Sequence, residues 1–326
     1  MNQIIIIGAG NWGTTLAHIF SRTLPVVLAT KTAEHAQDIN TNRENIRYLC
    51  GVRLSDSVRA AQFGTFPIEK ESTVIVAVPS HEVRHVAQSL RNIINDPVLI
   101  CASKGFEHTT MKTMSEILQE ELPMATTVVM SGPNIAREIA EGKPTKAVLA
   151  STNVAALARL SRELKNDCIA FEVCHDVKGV ELCAALKGIM AIGVGIADGL
   201  ELGANFIGVL MTYGLREFVN IAEFLGISKK TIYGIAGLGD MIATCFSPES
   251  RNRAFGYLLG KGIPPLNALH SVGMVVEGVQ MAKTIAELDG MNIPIPLFST
   301  IAKIIFEPNG HLPDRFIHCL QQYHTN

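Results

Sequence analysis

A short segment near the start of the chain is compatible with few folds. Four consecutive isoleucines, Ile4 to Ile7, lead directly into the sequence Gly-Ala-Gly-Asn-Trp-Gly at residues 8–13, and a helical pattern follows to Ser21. A strand, the spacing G-x-G-x-x-G and a helix in this order predict a dinucleotide-binding turn. The glycines let a pyrophosphate approach the backbone, and the helix N-terminus supplies free N–H groups. The glycines that this motif predicts to shape the cofactor site are Gly8, Gly10 and Gly13.

Up to about residue 177 the chain alternates short strand patterns with helical patterns. Several of the strand patterns are almost wholly Val, Ile and Leu, as in strands that are buried on both faces. The alternation predicts an α/β fold, a Rossmann-type doubly wound parallel sheet. The predicted strands are Gln3–Ile7, Pro25–Ala29, Thr73–Val78, Val98–Ala102, Thr126–Met130, Lys146–Ala150 and Ile169–Cys174. The helices predicted among them include Asn11–Ser21, His81–Asn92 and Met111–Glu121.

Strand patterns stop at about residue 178, and long helical patterns replace them. This change predicts a dinucleotide-binding domain of residues 1–177 and an all-helical substrate-binding and catalytic domain of residues 178–326. Because no long linker separates them, we expect the ligand site in a cleft between the two domains. Apolar stripes on the helices suit a core and a homodimer interface equally well. The predicted helices are Val177–Asp198, Ala204–Leu225, Asp240–Phe246, Arg251–Leu259, Met274–Asp289 and Pro296–Phe306.

The composition excludes several classes of partner. A broad nucleic-acid surface is not expected, because 28 Lys and Arg residues are balanced by 30 Asp and Glu residues. We expect no membrane span, since the most apolar long stretch, Gly188 to Leu200, carries Asp198 and is shorter than ~20 residues. Seven irregularly spaced cysteines indicate reduced thiols and a cytoplasmic protein. His81 and His85 have metal-pair spacing on a helix, but no third ligand is evident, so no metal is expected.

The residues after the second predicted strand indicate which dinucleotide is bound. Enzymes that select NAD commonly place an acid there for the ribose 2′-hydroxyl. This chain instead has Ala29, Thr30, Lys31 and Thr32, with no acid before Glu34. Because Lys31 would attract a 2′-phosphate, we predict NADPH as the cofactor and NADH as the second candidate. The alternative is that Lys31 is a solvated surface lysine.

Two polar segments follow predicted strands, at the edge where open parallel sheets bind their ligands. Lys104 comes directly after one strand and can meet an anionic substrate, although a solvated loop lysine explains it too. Gly132 and Asn134 lie in the sequence Ser-Gly-Pro-Asn after another strand. They offer backbone donors and a small amide, but the same residue types are common in ordinary turns.

Three further segments carry polar groups in the helical half. Lys187 stands among Ala, Leu, Ile, Met and Gly residues. Burial there would lower the pKa of Lys187 and make it a proton donor and acceptor near neutrality, unless it snorkels outward or pairs with a carboxylate. Asp240 follows Gly-Leu-Gly at a predicted helix start. Ser250, Arg251 and Asn252 suit a phosphate at a helix N-terminus, and an ordinary helix cap with surface arginines is the alternative.

These groups together suit hydride transfer to or from a small phosphorylated alcohol or ketone. Lys187 and Asp240 are the predicted catalytic residues, and Lys104 adds positive charge. A 3-hydroxyacid dehydrogenase is the enzymatic alternative, because a carboxylate would also suit Arg251. A dinucleotide-binding redox sensor that does not catalyse is the alternative from another class.

The motifs occur in the order found in one family. The chain resembles the NAD(P)-dependent glycerol-3-phosphate dehydrogenases over nearly its whole length. Its N-terminal half carries Gly8-x-Gly10-x-Trp12-Gly13-Thr14, Val78-Pro79-Ser80, Ser103-Lys104-Gly105 and Ser131-Gly132-Pro133. Its C-terminal half carries Ala185-Leu186-Lys187, Ala197-Asp198-Gly199-Leu200, Gly203-x-Asn205, Gly237-Leu238-Gly239-Asp240, Ser250-Arg251-Asn252 and Val275-Val276-Glu277-Gly278.

This resemblance implies the reversible reduction of dihydroxyacetone phosphate to sn-glycerol 3-phosphate, which feeds phospholipid synthesis. It implies that Lys187 is the proton donor and acceptor. The substrate-binding residues it implies are Lys104, Gly132, Asn134, Asp240, Ser250, Arg251 and Asn252. The cofactor contacts it implies, beyond the glycines, are Asn11, Trp12, Lys31, Lys104, Ala136, Arg251, Val275 and Glu277.

The chain departs from the family pattern at four places. Ala29 replaces an aromatic residue, Cys50 a proline and Tyr213 an arginine, and Gly188 replaces the asparagine that usually follows the catalytic lysine. Gly188 matters most, because it removes an amide beside the substrate. Glycine inside a helix also costs about 1 kcal/mol relative to alanine.

Overall fold

A computed structural model of the chain describes residues 3–69, 71–91, 93–94, 98–107, 110–288, 293–307 and 312–321. The chain divides into two compact units, Met1–Val177 and Lys178–Asn326. The division falls in the first turn of a long helix that begins at Val177.

The first unit is built on a single twisted sheet. Within the described residues its strand order is β3-β2-β1-β4-β5-β6-β7-β8, which confirms the predicted Rossmann-type α/β fold. All neighbours are parallel except β6 and β7. The strands are β1 (Ile4–Ile7), β2 (Val26–Thr30), β3 (Val58–Gln62), β4 (Thr73–Val76), β5 (Val98–Cys101), β6 (Thr126–Ser131), β7 (Thr145–Ala150) and β8 (Ile169–Cys174).

The prediction of a wholly parallel sheet is wrong for one pair. Strands β6 and β7 run antiparallel, with Met130 opposite Leu149. The helix between them, α5 (Ala136–Ala140), has only 5 residues. Such a helix rises ~7.5 Å, which is too short to return the chain along a six-residue strand for a parallel crossover.

Strand β3 was not predicted, because its sequence Val-Arg-Ala-Ala-Gln contains few residues that favour strands. It pairs with β2 over its whole length, from Val26 opposite Val58 to Thr30 opposite Gln62. The conformation of β3 is therefore determined more by the backbone groups of β2 than by the side chains of β3 itself.

The register of the central strands brings their carboxyl ends to one level. Ile7 of β1 lies opposite Ala29 of β2 and Val76 of β4. The ladder continues past the strands, since Gly8 N–H donates to Ala29 O at 3.1 Å and Ala77 N–H to Ile7 O at 2.8 Å. The segments that follow these three strands therefore start side by side.

Six helices of the described residues accompany the sheet. The predicted helix His81–Asn92 is a 3-10 turn, Ser80–Glu82, followed by α3; Asn92 lies outside the described residues. The predicted helix Met111–Glu121 begins later, because Thr113 and Glu116 form a capping box and Met111 has a positive φ of 57°. Besides α5, the helices are α1 (Asn11–Phe20), α2 (Ala33–Asn42), α3 (Val83–Leu90), α4 (Met114–Glu121) and α6 (Val154–Glu163).

The second unit is helical throughout its described residues, as predicted. The predicted helix Met274–Asp289 starts three residues late, at Glu277, and its last residue lies outside the described residues. The helices are α7 (Val177–Gly199), α8 (Gly203–Phe224), α9 (Lys229–Tyr233), α10 (Asp240–Phe246), α11 (Arg251–Gly260), α12 (Pro265–Val272), α13 (Glu277–Leu288), α14 (Pro296–Phe306) and α15 (Leu312–Gln321).

Helix α7 is the core of this unit. Its length and composition alone would let it cross a membrane, which corrects the expectation that the stretch is too short. However, 94% of its most apolar 18-residue window is buried inside the protein. A helix that is apolar on all sides and enclosed by other helices is typical of the centre of a globular domain.

A buried carboxylate joins two helices of this core. Glu217 of α8 is fully buried, and its two oxygens accept the Leu297 and Phe298 N–H groups at 2.6 and 2.8 Å. These N–H groups belong to the first turn of α14, where no α14 partner exists for them. Glu217 therefore caps α14 from another helix, and its negative charge lies at the positive end of the helix dipole.

We expect Glu217→Gln to lower the free energy of unfolding by about 1–3 kcal/mol, because an amide NH₂ would face one of the two backbone donors. Urea unfolding followed by circular dichroism measures the change. Glu223→Gln is the control, since Glu223 lies on the same helix with half its side chain exposed. Equal unfolding midpoints for both variants would contradict the capping role.

Candidate active site

The glycine turn after β1 leaves no room for side chains at two positions. Gly8 has a φ of 113°, and a Cβ there would lie 2.5 Å from Ala77 O. A Cβ on Gly13 would lie 1.9 Å from Gly8 O, so the first turn of α1 packs directly on the strand end. Around the position of a Cβ on Gly10, by contrast, no described atom lies within 4 Å. The turn is closed towards the protein and open at Gly10.

The start of α1 fits an anionic cofactor. Its N-cap is Gly10, which has no side chain to satisfy the first N–H groups, and its first turn carries no acid. Two buried polar atoms also have no hydrogen-bond partner among the described residues, namely Asn11 Oδ1 and Trp12 Nε1. Unpaired N–H groups at a helix N-terminus and unsatisfied side-chain atoms beside them suit the pyrophosphate of a dinucleotide.

Asn45 holds this turn in place, and sequence reasoning missed it. Its side chain is buried, and Nδ2 donates to Ala9 O at 2.9 Å and to Thr14 Oγ1 at 2.8 Å. Its Oδ1 lies 3.2 Å from His35 Nε2. Asn45 thus joins the glycine turn to the first turn of α1. Nothing in the local sequence distinguishes Asn45 from a surface asparagine.

Two other predicted cofactor residues have different surroundings. Ala136 opens α5, and its carbonyl accepts a 3.3 Å hydrogen bond from Thr15 Oγ1 of α1. Lys31 follows β2 with an exposed side chain, and its Nζ lies 3.3 Å from Glu82 Oε1.

The loop that carries Lys104 is fixed on both sides. Before it, Ser103 Oγ donates to Val78 O at 2.6 Å. After it, Glu107 accepts two hydrogen bonds of 2.7 Å from the Arg84 guanidinium of α3. The Arg84 hydrogen bonds hold the pKa of Glu107 at about 2, so this carboxylate stays charged at neutral pH. Lys104 is therefore presented by a rigid loop at the carboxyl end of β5.

The segment after β6 presents unsatisfied polar atoms. Gly132 has a φ of 123°, and a Cβ on it would lie 3.2 Å from Ala147 Cα of β7. In the described part of the chain, neither side-chain amide atom of Asn134 has a hydrogen-bond partner, and the same holds for Ser131 Oγ. Buried polar groups are normally satisfied, so these atoms indicate a ligand rather than a plain turn.

The centre of the second unit holds a buried ion pair. Lys187 Nζ of α7 donates to Asp240 Oδ1 at 2.6 Å, and the two side chains are 14% and 0% exposed. Thr244 Oγ1, one turn further along α10, donates to the same oxygen at 3.4 Å. Of the alternatives raised for Lys187, the structure shows the pairing with a carboxylate.

Asp240 owes its position to a π-helical turn, Ile235–Gly239, which runs directly into α10. A Cβ on Gly237 would lie 2.1 Å from Ile232 O, so only glycine fits there. Short π-helical segments occur frequently at functional sites. Sequence reasoning named Asp240 but missed Thr244 as its partner.

Cys245 follows Thr244 on α10, and its thiol is not reactive. Burial raises the pKa of Cys245 to about 12, although the Lys187 ammonium acts in the opposite direction. The thiol is therefore protonated and unreactive at neutral pH. All seven cysteines lie among the described residues, none of them forms a disulfide bond, and five of them are buried.

Backbones meet where the chain departs from the family at Gly188. A Cβ on Gly188 would lie 3.0 Å from Gly278 Cα and 3.4 Å from Asn252 Nδ2. Asn252 Oδ1 accepts the Gly278 N–H at 2.9 Å. The side-chain amide of Asn252 therefore lies beside Gly188, the residue that follows Lys187 in the chain.

The remaining predicted residues lie on the same elements. Ser250 is the N-cap of α11, and its Oγ accepts the Arg253 N–H at 3.3 Å, which is the ordinary capping role. Arg251 is exposed in the first turn of α11. Val275 is 46% exposed just before α13, and Glu277 opens that helix.

A glycine turn ready for a dinucleotide and a helical unit with a buried lysine–aspartate pair define an NAD(P)-dependent dehydrogenase. The family models of NAD-dependent glycerol-3-phosphate dehydrogenase match residues 3–157 with the N-terminal part and residues 176–312 with the C-terminal part. The chain belongs to this family.

Individual proteins named as glycerol-3-phosphate dehydrogenases are similar to this chain over most of its length. The chain is 34% identical over 307 residues to a protein of Clostridium tetani named glycerol-3-phosphate dehydrogenase (NAD(P)+), covering 93% of this chain and 88% of that one. It is 37% identical over 316 residues to a protein of the same name from Bacillus mycoides, covering 95% and 93%. The crystal structure of glycerol-3-phosphate dehydrogenase from Coxiella burnetii superimposes with a TM-score of 0.90 at 30% identity, covering 98% of both chains.

We expect Asn45→Asp to weaken the binding of NADP+ and NAD+ alike by about tenfold, because a carboxylate would face Ala9 O and could not donate. Calorimetric titration without substrate measures this. The matched control is Asn40→Asp, since Asn40 makes similar hydrogen bonds to the backbone of Ala60, away from the glycine turn. Unchanged affinity in the Asn45 variant would contradict its role at the turn.

Proposed function

We propose that the chain catalyses the reversible reduction of dihydroxyacetone phosphate to sn-glycerol 3-phosphate with NADPH, and also accepts NADH. The observation that carries this proposal is the Lys187–Asp240 pair, a proton donor held in the apolar core helix of a chain of this family. The product is the glycerol phosphate that phospholipid synthesis consumes.

Lys187 supplies the proton. A bound reduced nicotinamide would supply the hydride for C2 of the ketone, and negative charge would develop on the ketone oxygen. The Lys187 ammonium stabilises this charge and donates its proton to the oxygen. In the reverse direction the neutral amine takes the proton from the alcohol.

Asp240 keeps this proton donor in place. Its oxygen at 2.6 Å fixes the position of Lys187 Nζ and places a negative charge beside the buried ammonium. Thr244 in turn restrains the carboxylate. When Lys187 has given up its proton, Asp240 favours its return from solvent.

Substrate binding falls to residues of both units. Arg251 can form a two-pronged contact with the substrate phosphate, and the neighbouring Asn252 adds an amide. Lys104 adds positive charge, and the unsatisfied amide of Asn134, with Gly132, suits the substrate hydroxyls. Ser250 acts by capping the helix that presents Arg251.

Cofactor binding falls mainly to the first unit. Gly8, Gly10 and Gly13 shape the pyrophosphate site, and Asn11 and Trp12 offer unsatisfied atoms to it. Lys31 attracts the 2′-phosphate of NADPH. The remaining proposed cofactor contacts are Lys104, Ala136, Arg251, Val275 and Glu277.

We place the protein in the cytoplasm, because none of its seven cysteines forms a disulfide bond. Comparing dihydroxyacetone phosphate with a 3-oxo acid as oxidants of NADPH tests the 3-hydroxyacid dehydrogenase alternative. Rapid turnover of the phosphorylated ketone also excludes the non-catalytic sensor.

We expect Lys187→Met to lower kcat by about 10²–10⁴-fold, the usual effect of losing a general acid. Absorbance of NADPH at saturating dihydroxyacetone phosphate measures kcat. Lys178→Met is the control, since Lys178 is exposed on the same helix. Calorimetric binding of NADP+ shows that the variant is folded, because removing Lys187 leaves the buried Asp240 unpaired. A loss below tenfold in folded protein would remove Lys187 from this role.

We expect Arg251→Met to raise KM for dihydroxyacetone phosphate about 10–100-fold through the loss of a charge-assisted contact, with a smaller change in kcat. Steady-state rates over a range of substrate concentrations measure both constants. Unphosphorylated dihydroxyacetone is the control, because its slow reduction should not depend on Arg251. An unaltered KM would contradict phosphate binding by this arginine.

A further inference from the structure

The cation that follows β2 already has an acidic partner. Lys31 Nζ lies 3.3 Å from Glu82 Oε1, and the side chains are 86% and 33% exposed. His81 Nε2 is 4.0 Å from the same carboxylate oxygen. Glu82 was not singled out by sequence reasoning, because it lies 51 residues from Lys31 in the chain.

The ion pair crosses the nucleotide end of the sheet. Lys31 follows β2, Glu82 ends the 3-10 turn after β4, and β1 lies between these two strands. The glycine turn after β1 packs on the segment that leads to Glu82, since a Cβ on Gly8 would lie 2.5 Å from Ala77 O. Lys31 and Glu82 therefore meet across the strand end from which the dinucleotide site is built.

We propose that Glu82 determines cofactor preference, by opposing the 2′-phosphate of NADP(H) at Lys31 and so keeping NAD(H) usable. The inference rests on the proposed dinucleotide site.

Two effects of the carboxylate act in the same direction. A 2′-phosphate that contacts Lys31 must share this cation with Glu82 and accept repulsion from a second negative charge. The 2′-hydroxyl of NAD(H) carries no charge and can donate a hydrogen bond to a carboxylate. Enzymes that select NAD commonly provide this acid at the end of β2, where this chain has Lys31. Glu82 supplies a carboxylate beside Lys31 from the 3-10 turn after β4.

The test measures binding without catalysis. NADP+ and NAD+ are titrated by calorimetry, without substrate, into the wild type, Glu82→Gln, Lys31→Met and the double variant. Trp12, the only tryptophan of the chain, lies in the glycine turn and gives a second reading through its fluorescence. The control is Glu163→Gln, because Glu163 also pairs with a cation at the surface, Arg159, but lies on α6.

We expect Glu82→Gln to tighten NADP+ about two- to fivefold relative to NAD+, the size of a charge contact at an exposed site. Lys31→Met should weaken NADP+ selectively. The gain from Glu82→Gln should shrink at high ionic strength because the contact is screened. The control should leave the preference unchanged.

Two failures are distinguishable. If the wild type binds both dinucleotides and Glu82→Gln leaves their ratio unchanged, or shifts it towards NAD+, this inference is wrong while the proposed function stands. If the folded wild type binds neither dinucleotide, the proposed function itself fails.

Discussion

The contact between Lys187 and Asp240 is the interaction on which the second unit depends. Each charge alone would be strongly unfavourable in the centre of a helical core, and the pair is tolerated because the two atoms meet at 2.6 Å. Both helices must therefore be held in register. The apolar surroundings of α7 fix the lysine, and the π-helical turn fixes the aspartate. The packing that makes this unit stable also produces a lysine–aspartate pair that is largely shielded from water.

The candidate cofactor site of the first unit differs from the Lys187–Asp240 pair, because its groups are mostly backbone atoms. The register of β2, β1 and β4 places three strand ends at one level, and close contacts at Gly8 and Gly13 bend the chain between them. Asn45 then fixes the carbonyl of Ala9, so the N–H groups at the start of α1 keep one direction. The rigidity of the glycine turn thus depends on Asn45, a side chain outside the G-x-G-x-x-G motif.

The fold class could be predicted from the sequence because hydrophobic periodicity reports burial directly. Strand β3 was not predicted, since its pairing with β2 outweighs the weak strand preference of its own residues. The antiparallel pairing of β6 and β7 was not predicted either, because it depends on the length of α5. For the site, residue types and spacing were enough to name Lys187, Asp240 and the glycine turn as candidates. The partners Asn45 and Glu82 could not be found, because each acts through a contact between elements that no local pattern encodes. Thr244 lies one helical turn after Asp240 on α10, and this i,i+4 spacing was the signal that could have found it.

The departure at Gly188 shows how packing can make up for a missing side chain. Its backbone packs against Gly278, and any Cβ there would lie 3.0 Å from Gly278 Cα, tighter than an ordinary contact. The amide of Asn252 fills the adjoining space and is itself held by the Gly278 N–H. An asparagine placed at 188 would therefore have to displace Gly278 or compete with Asn252. Gly188, Asn252 and Gly278 form one packed set, in which the polar group beside Gly188 comes from α11.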